Sequence, residues 1–149
     1  MKRYDALFLT IIVVAAAIMG WKLVGSLSAD QMGLEVRALT SLESFEDRAE
    51  KNKPDQKDIY LLARQWEWSS EITVQFGQEY VLHLATGDIQ HAFHLPKEAT
   101  GSSIDILIQP GREYLLKLPK MKPGAYAIGC TEYCGIEHNK MRSKLIVNE

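Results

Sequence analysis

Four side chains that can bind a soft metal ion lie close together near the C-terminal end of the sequence. Cys130 and Cys134, the two cysteines of the chain, are followed by His138 and Met141 in the segment CTEYCGIEHNKM, residues 130–141. Thiolate, imidazole and thioether ligands together select copper, whereas carboxylate and carbonyl oxygens suit magnesium or calcium. The segment therefore predicts a copper site.

The two thiols also allow other interpretations. An exported domain permits a disulfide, but a disulfide would leave the placing of His138 and Met141 unexplained. Zinc binds cysteine and histidine, although a methionine ligand would be unusual for it, and a thiol redox pair is a further alternative. A mononuclear blue-copper site takes one cysteine, one methionine and two histidines, so it would not need the second cysteine.

Two thiolates four residues apart can instead face each other across a tight loop and bridge two metal ions. Each ion would then take one terminal imidazole, so a second histidine must come from elsewhere in the sequence. His91 and His94 in the segment GDIQHAFHLP are the candidates, and they lie at the start of a predicted strand.

The segments around the cysteines have the period of two that is typical of β-strands. Apolar and polar residues alternate in EITVQF, EYVLHLAT and SIDILI, and REYLLKL, AYAIGC and KLIV follow. The pairs Gly77-Gln78, Pro110-Gly111 and Pro123-Gly124 supply turns between these segments. Short strands with turns every eight to twelve residues, roughly, predict a mainly β fold, either a sandwich or a barrel. The cysteine segment would be the loop between the last two strands.

The N-terminal segment is typical of a membrane anchor. Residues 6–27 are interrupted by a single charge, Lys22, and about 20 apolar residues suffice to span a bilayer as a helix. Lys2 and Arg3 favour a cytoplasmic N-terminus, which places the rest of the chain on the outer face. A cleaved signal peptide is the alternative, and it exports the rest of the chain as well.

These patterns divide the chain into a transmembrane anchor over residues 1–28, a partly helical connector over residues 29–56 and a β-domain over residues 57–149. The polar segment KNKPDQKD ends the connector. Before it, apolar residues recur at helical spacing, which predicts an amphipathic helix or a continuation of the anchor: Leu34, Ala38, Leu42, Phe45 and Ala49.

The cysteine segment has the form C-x-E-x-C-G-x-x-H-x-x-M, and it follows ARQWEW and HAFHLP in the sequence. Over most of residues 60–149 the chain resembles subunit II of the haem–copper cytochrome c oxidases. The resemblance implies a cupredoxin-like Greek-key β-sandwich that carries a dinuclear copper centre, CuA. The implied ligands are the bridging thiolates of Cys130 and Cys134, the terminal imidazoles of His91 and His138, the weak axial thioether of Met141 and the backbone carbonyl of Glu132.

The resemblance also implies what such a centre does. It accepts electrons one at a time from cytochrome c and passes them to a haem in subunit I, where O2 is reduced to water, so no catalytic residue is expected in this chain. Trp66 and Trp68 lie two residues apart, on the same face of a predicted strand, and packing of both in the core is the alternative to a role in electron transfer. By similarity one of them, Trp66 as the first choice, receives electrons from cytochrome c. Asp88 is expected to hold the region of His91 through hydrogen bonds or to stabilise a turn.

The same resemblance indicates subfamily and compartment. A single anchor is similar to the B-type oxidases, so we expect the chain in a bacterial or archaeal cell (inner) membrane, with the CuA domain on the periplasmic or outer side. In the A-type enzymes the glutamate that matches Glu132 helps to bind magnesium or manganese, although one carboxylate is a thin site by itself. The expected partners are subunit I, cytochrome c and the lipid bilayer. No nucleic acid is expected, because the net charge is −2 and no basic stripe is present.

Two other functions would use the same residues. A CuA subunit of a nitric oxide or nitrous oxide reductase would have the same fold and ligands. A membrane-tethered copper-delivery protein would need an open, exchangeable site, whereas this segment supplies a complete ligand set. Residues 54–149 contain twelve acidic and ten basic residues, too small an excess to steer a basic cytochrome over long range. We therefore expect mainly apolar docking.

Overall fold

The structure, a computed structural model, describes the backbone of residues 3–29, 33–53 and 56–149 and the side chains of residues 8–22, 33–53 and 56–149. The chain divides into two compact units, Met1–Gln31 and Met32–Glu149. In the first unit, helix α1 covers Arg3–Ala29. Among the residues that the structure describes, no helix combines the length and the apolar character needed to cross a membrane. Lys2, on which part of the predicted orientation depends, lies outside the described residues.

The second unit consists mainly of short strands. It begins with strand β1 (Leu34–Ala38) and helix α2 (Leu42–Glu50). Strands β2 (Asp58–Arg64), β3 (Glu67–Trp68), β4 (Ile72–Gln75) and β5 (Val81–Thr86) follow. The remaining elements are β6 (His91–Leu95), the short helix α3 (Lys97–Thr100), β7 (Ile104–Ile108), β8 (Arg112–Lys117), β9 (Gly124–Cys130) and β10 (Arg142–Asn148). One turn of 3-10 helix, His138–Lys140, lies between the last two strands.

The strands form two five-stranded sheets that share one core. The strand orders are β1-β8-β5-β2-β3 and β4-β10-β9-β6-β7. The β2–β5 and β4–β10 pairs are parallel, and the other pairs are antiparallel. Alternate side chains of both sheets are buried in a common apolar cluster, among them Leu61, Leu82, Leu116, Phe93, Ile128 and Leu145. The mainly β fold that the period of two predicts is therefore confirmed, and of the two predicted forms, sandwich and barrel, the structure is the sandwich.

The helical periodicity predicted from Leu34 onwards is only partly confirmed. Leu34–Ala38 is a strand, β1, that pairs antiparallel with β8. The helix starts later, at α2, where the Ser41 hydroxyl caps it by accepting a hydrogen bond from the Ser44 N–H at 3.2 Å. The segment LEVRA carries apolar residues at every second position as well as every fourth, and pairing with β8 decides between the two periods. Residues 54 and 55 of the predicted polar segment lie outside the described residues.

A polar network with a buried centre, His83 and Glu113, joins four consecutive strands of the first sheet. The His83 ring on β5 bonds through Nδ1 to Glu113 Oε1 at 2.7 Å and through Nε2 to Asp58 Oδ1 at 3.0 Å. Arg37 on β1 donates to both carboxylate oxygens of Glu113, at 2.8 and 3.0 Å. Burial raises the pKa of Glu113, but the hydrogen bonds from Arg37 and His83 outweigh it and hold this pKa below its usual value. The network ties β1 to the rest of its sheet.

Candidate metal centre

The strand pairing brings the two predicted ligand segments to the same end of the second sheet. β6 begins at His91, and β9 ends at Cys130. The two strands are antiparallel neighbours, with Phe93 opposite Cys130, so the start of one lies beside the end of the other. The loop from residue 131 to 141 then connects β9 to β10 over this end.

The two thiols lie together, and each has an imidazole beside it. Cys130 Sγ and Cys134 Sγ are 3.9 Å apart, far beyond the disulfide bond length of about 2.05 Å, and both cysteines are free. His91 Nδ1 lies 3.8 Å from Cys130 Sγ. His138 Nδ1 lies 3.5 Å from Cys134 Sγ. The two cysteines therefore do not form a disulfide in this structure.

The remaining predicted ligands lie in the same cluster. Met141 Sδ is 3.8 Å from Cys134 Sγ, and the Glu132 carbonyl oxygen is 3.2 Å from Cys130 Sγ. The Glu132 carboxylate takes no part in it and accepts a hydrogen bond from Gln90 Nε2 at 3.0 Å. Two thiols, two imidazole nitrogens, a thioether and a carbonyl form a sulfur-rich donor set that suits copper.

The structure also distinguishes His91 from His94. The His91 ring is fully buried beside the thiols, and His91, Cys130 and Cys134 have ligand atoms within 4.8 Å of one another. His94 faces away from them and bonds through Nδ1 to Asp105 Oδ2 at 2.9 Å. The alternation of a strand would put His91 and His94, three positions apart, on opposite faces.

The Asp88 carboxylate determines which nitrogen of His91 faces the thiols. Asp88 Oδ1 lies 2.8 Å from His91 Nε2. Because a carboxylate only accepts, Nε2 carries the proton and the Nδ1 lone pair points at Cys130. Partial burial raises the pKa of Asp88, but hydrogen bonds from the Gln65 N–H, the His91 ring and the Ile89 N–H outweigh it and keep this pKa below its usual value. Asp88 therefore stays a carboxylate that orients the ring and also holds a turn.

The surroundings of Cys134 disfavour its thiolate form. Burial and the neighbouring Cys130 raise the pKa of Cys134 to about 11. At neutral pH this thiol is protonated, so metal binding at the pair must release a proton.

The two tryptophans occupy different environments, and the prediction that they share one strand face was wrong. Trp66 lies in the turn between β2 and β3, half-buried, and its Nε1 donates to the Cys134 carbonyl at 3.1 Å. Trp68 lies in β3, is buried, and packs edge-on against Phe93 with ring centroids 5.9 Å apart. A two-residue strand after a turn cannot be seen from the spacing of two tryptophans.

Gln65 is a residue at the site that the sequence did not indicate. Its Nε2 donates to the Cys134 carbonyl at 2.7 Å, and its backbone N–H donates to Asp88 Oδ2 at 2.7 Å. Its position next to Trp66 in RQWEW is the one available signal, because a turn near the site would bring both residues to it.

Sequence comparison finds relatives with one name. No protein-family model matches the chain. The chain is 31% identical over 97 residues to cytochrome c oxidase subunit 2 of Thermus thermophilus, a match that covers 64% of this chain and 69% of the relative. A second protein of that name, from a strain of the same species, is also 31% identical over 97 residues, and there the chain spans 55% of the relative's length.

Solved structures of two oxidase chains have a fold similar to that of this chain. A chain of a haem–copper terminal oxidase dimer superposes with a TM-score of 0.62 at 23% identity, covering 98% of this chain and 100% of that one. The periplasmic domain of subunit II of cytochrome oxidase of Bradyrhizobium japonicum superposes with a TM-score of 0.54 at 24% identity, covering 66% of this chain and 87% of that one. The fold is therefore mainly β, as the period of two predicts, and cupredoxin-like, as the resemblance implies.

Proposed function

The chain belongs to the cytochrome c oxidase subunit 2 family, and on this premise we propose that its cysteine loop and His91 hold a dinuclear copper centre, CuA. Membership makes the chain a component of an oxidoreductase complex. One observation carries the proposal of two metal ions. The free thiols of Cys130 and Cys134 lie 3.9 Å apart, and each has an imidazole Nδ1 beside it, at 3.8 and 3.5 Å.

In this proposal each side chain of the cluster has a defined task. The side chains that would hold the copper pair are the thiolates of Cys130 and Cys134, the imidazoles of His91 and His138 and the Met141 thioether, together with the Glu132 carbonyl. When bound, the copper pair supplies a centre that gains and loses one electron. The protein keeps the ligands in place: Asp88 holds the His91 ring, and Cys134 and Met141 are buried. When the ligands move little as the centre gains or loses an electron, electron transfer is fast.

We propose Trp66 as the residue that receives electrons from cytochrome c. Its indole is half-buried and bonds directly to the carbonyl of a candidate ligand, Cys134. The Trp68 ring, by contrast, is buried against Phe93, where a soluble donor cannot reach it. Electrons would leave towards a haem of subunit I through the part of the loop around His138.

The surface of the loop supports mainly apolar docking of that donor. Tyr133 and Ile136 are 73% and 90% exposed, although both are large apolar side chains. We expect electron transfer from the native cytochrome to slow when Ile136 is replaced by Ser, and to vary little with salt. Phe76→Ser is the matched control, because Phe76 is also exposed but lies beside the far end of β10. A steep fall of the rate with rising salt would contradict apolar docking.

The attachment to a membrane belongs to the same proposal. Helix α1 exposes apolar side chains along residues 8–21, among them Phe8, Ile11, Val14 and Trp21. We propose that the apolar sequence of residues 6–27, which is longer than the part of α1 with described side chains, is a single-pass anchor with a cytoplasmic N-terminus, and that subunit I lies beside it. If so, the full chain stays with the membrane pellet after alkaline washing, and the washed supernatant contains none of it.

The experiment that tests the central proposal uses the full chain, loaded with copper. We expect two copper ions per chain and an electron spin resonance signal from one unpaired electron shared by both. A one-copper spectrum, or preferential binding of zinc, would falsify the dinuclear centre. Co-purification then identifies the complex to which the chain belongs. Recovery of an oxidase subunit I supports the proposal, and recovery of a nitric oxide or nitrous oxide reductase subunit overturns it.

A further inference from the structure

The turn between β2 and β3 contacts both ligand segments of the candidate metal centre. The Gln65 backbone N–H donates to Asp88 Oδ2 at 2.7 Å, and Asp88 in turn holds His91 Nε2 at 2.8 Å. The Gln65 side chain reaches the other way, where its Nε2 donates to the Cys134 carbonyl at 2.7 Å. One residue thus bonds to the segment that carries His91 and to the loop that carries Cys134.

The middle of the loop, residues 133–138, is hydrogen-bonded to the rest of the domain through this turn. In the described part of the chain, the hydrogen bonds that residues 133–138 receive from outside the loop are those from Gln65 Nε2 and Trp66 Nε1 to the Cys134 carbonyl. The other hydrogen bonds of these residues stay within residues 130–141, such as His138 N–H to the Gly135 carbonyl at 3.1 Å. The two donors occupy both lone pairs of one oxygen.

A glycine in the loop, Gly135, leaves space for the side chains of the turn. Gly135 has a φ of 119°, in the region that favours glycine. A Cβ at Gly135 would lie 3.0 Å from Gln65 Nε2 and 3.1 Å from Trp66 Nε1. A side chain at this position would therefore press on both donors to the carbonyl of the preceding residue.

From these contacts we infer that Gln65 is a positioning residue of the metal centre, which fixes the Cys134 loop relative to the Asp88–His91 segment. It touches no candidate ligand atom itself. It acts through the Cys134 carbonyl and through Asp88, and its amide restrains the thiol that has to face Cys130. The inference deepens the proposed function, since the centre it serves is the proposed CuA site.

The first test needs no copper. Amide hydrogen exchange is measured on the full apo chain for wild type, Gln65→Ala and Gln90→Ala. The control is matched: Gln90 also donates its Nε2 to this loop, at 3.0 Å, but to the side chain of Glu132 rather than to a ligand residue's backbone. We expect the His138 and Met141 amides to exchange about fivefold faster in Gln65→Ala, as the loss of one hydrogen bond produces. The Ile89 amide should stay unchanged, because the backbone bond from residue 65 to Asp88 remains.

The outcomes separate this inference from the proposed function. Exchange within twofold of wild type in Gln65→Ala, or equal acceleration in Gln90→Ala, overturns the positioning role. Gln65→Glu keeps the length but loses the donor, so it should behave like Gln65→Ala, and wild-type exchange in it would also overturn the inference. In copper-loaded chains, Gln65→Ala should lower metal affinity at least about tenfold against a chelator, as loss of an outer hydrogen bond does. If the wild type binds no copper pair, the proposed function fails, while the exchange result still decides the role of Gln65.

Discussion

Replacing Phe45 by Ala tests whether α2 is part of the cupredoxin-like domain or a loose connector. Phe45 is 3% exposed and packs edge-on against Tyr60, with ring centroids 5.4 Å apart. Together with Ala49 it covers Leu62 and Ala85 of the first sheet, in an apolar cluster separate from the main core. Removing a buried phenylalanine costs about 3–5 kcal/mol. We expect about 3 kcal/mol, because a small peripheral cluster can partly close over the space.

The assay is thermal unfolding of the full apo chain, followed by circular dichroism. At roughly 4 °C per kcal/mol for a domain of this size, Phe45→Ala should melt about 12 °C below wild type. Ser44→Ala is the control, since Ser44 lies on the exposed face of the same helix and should change the free energy of unfolding by less than about 0.5 kcal/mol. If Phe45→Ala melts within about 2 °C of wild type, α2 does not stabilise the domain and our interpretation of the cluster is wrong.

Two further predictions concern the metal loop and the polar network. Gly135→Ala should lower the free energy of unfolding by about 1–3 kcal/mol through backbone strain. It should also weaken copper binding in a chelator titration, because the new Cβ would press on Gln65. The control is Gly77→Ala, which has a φ of 79° and open space around it, so it should share the strain but bind copper normally. Burial raises the pKa of Glu113, but the hydrogen bonds from Arg37 and His83 together outweigh it, so the pKa in the folded protein lies below its usual value. The ionised carboxylate therefore stabilises the fold above the ordinary glutamate pKa of about 4.3. This stabilisation is lost as the pH falls through the lower pKa of the folded state. Melting curves of Glu113→Gln should therefore lie below wild type at pH 7 and converge with it towards pH 3, and a constant gap would contradict this.

The residue patterns were sufficient for a mainly β fold and for the candidate ligands between Cys130 and Met141. Period-two segments and their turns predict strands because one face of each strand must be buried. The segment from Cys130 to Met141 lies close together in space because it is close in the sequence. His91 joins these residues through the pairing of β6 with β9. The resemblance, and not the spacing, indicated His91 as the further ligand.

What the sequence could not supply depends on contacts between distant segments. Leu34 and Ala38 fit a helix and a strand equally well, and pairing with β8 selected the strand. Trp66 and Trp68 share the spacing of one strand face, yet the chain turns at Trp66. A polar, exposed residue such as Gln65 carries no periodic signal at all, because its bonds to Asp88 and Cys134 exist only after the sheets have formed.

The shared oxygen of Cys134 changes how a tryptophan variant should be interpreted. Removing the Trp66 indole deletes an aromatic ring on the proposed electron path, and it also deletes one of two donors to the Cys134 carbonyl. A loss of electron transfer in such a variant combines a slower transfer step with a displaced ligand loop. Gln65→Ala removes the other donor and keeps the ring, so its effect on electron transfer measures the second contribution alone. A Trp66 effect that clearly exceeds the Gln65 effect therefore indicates a contribution from the ring itself.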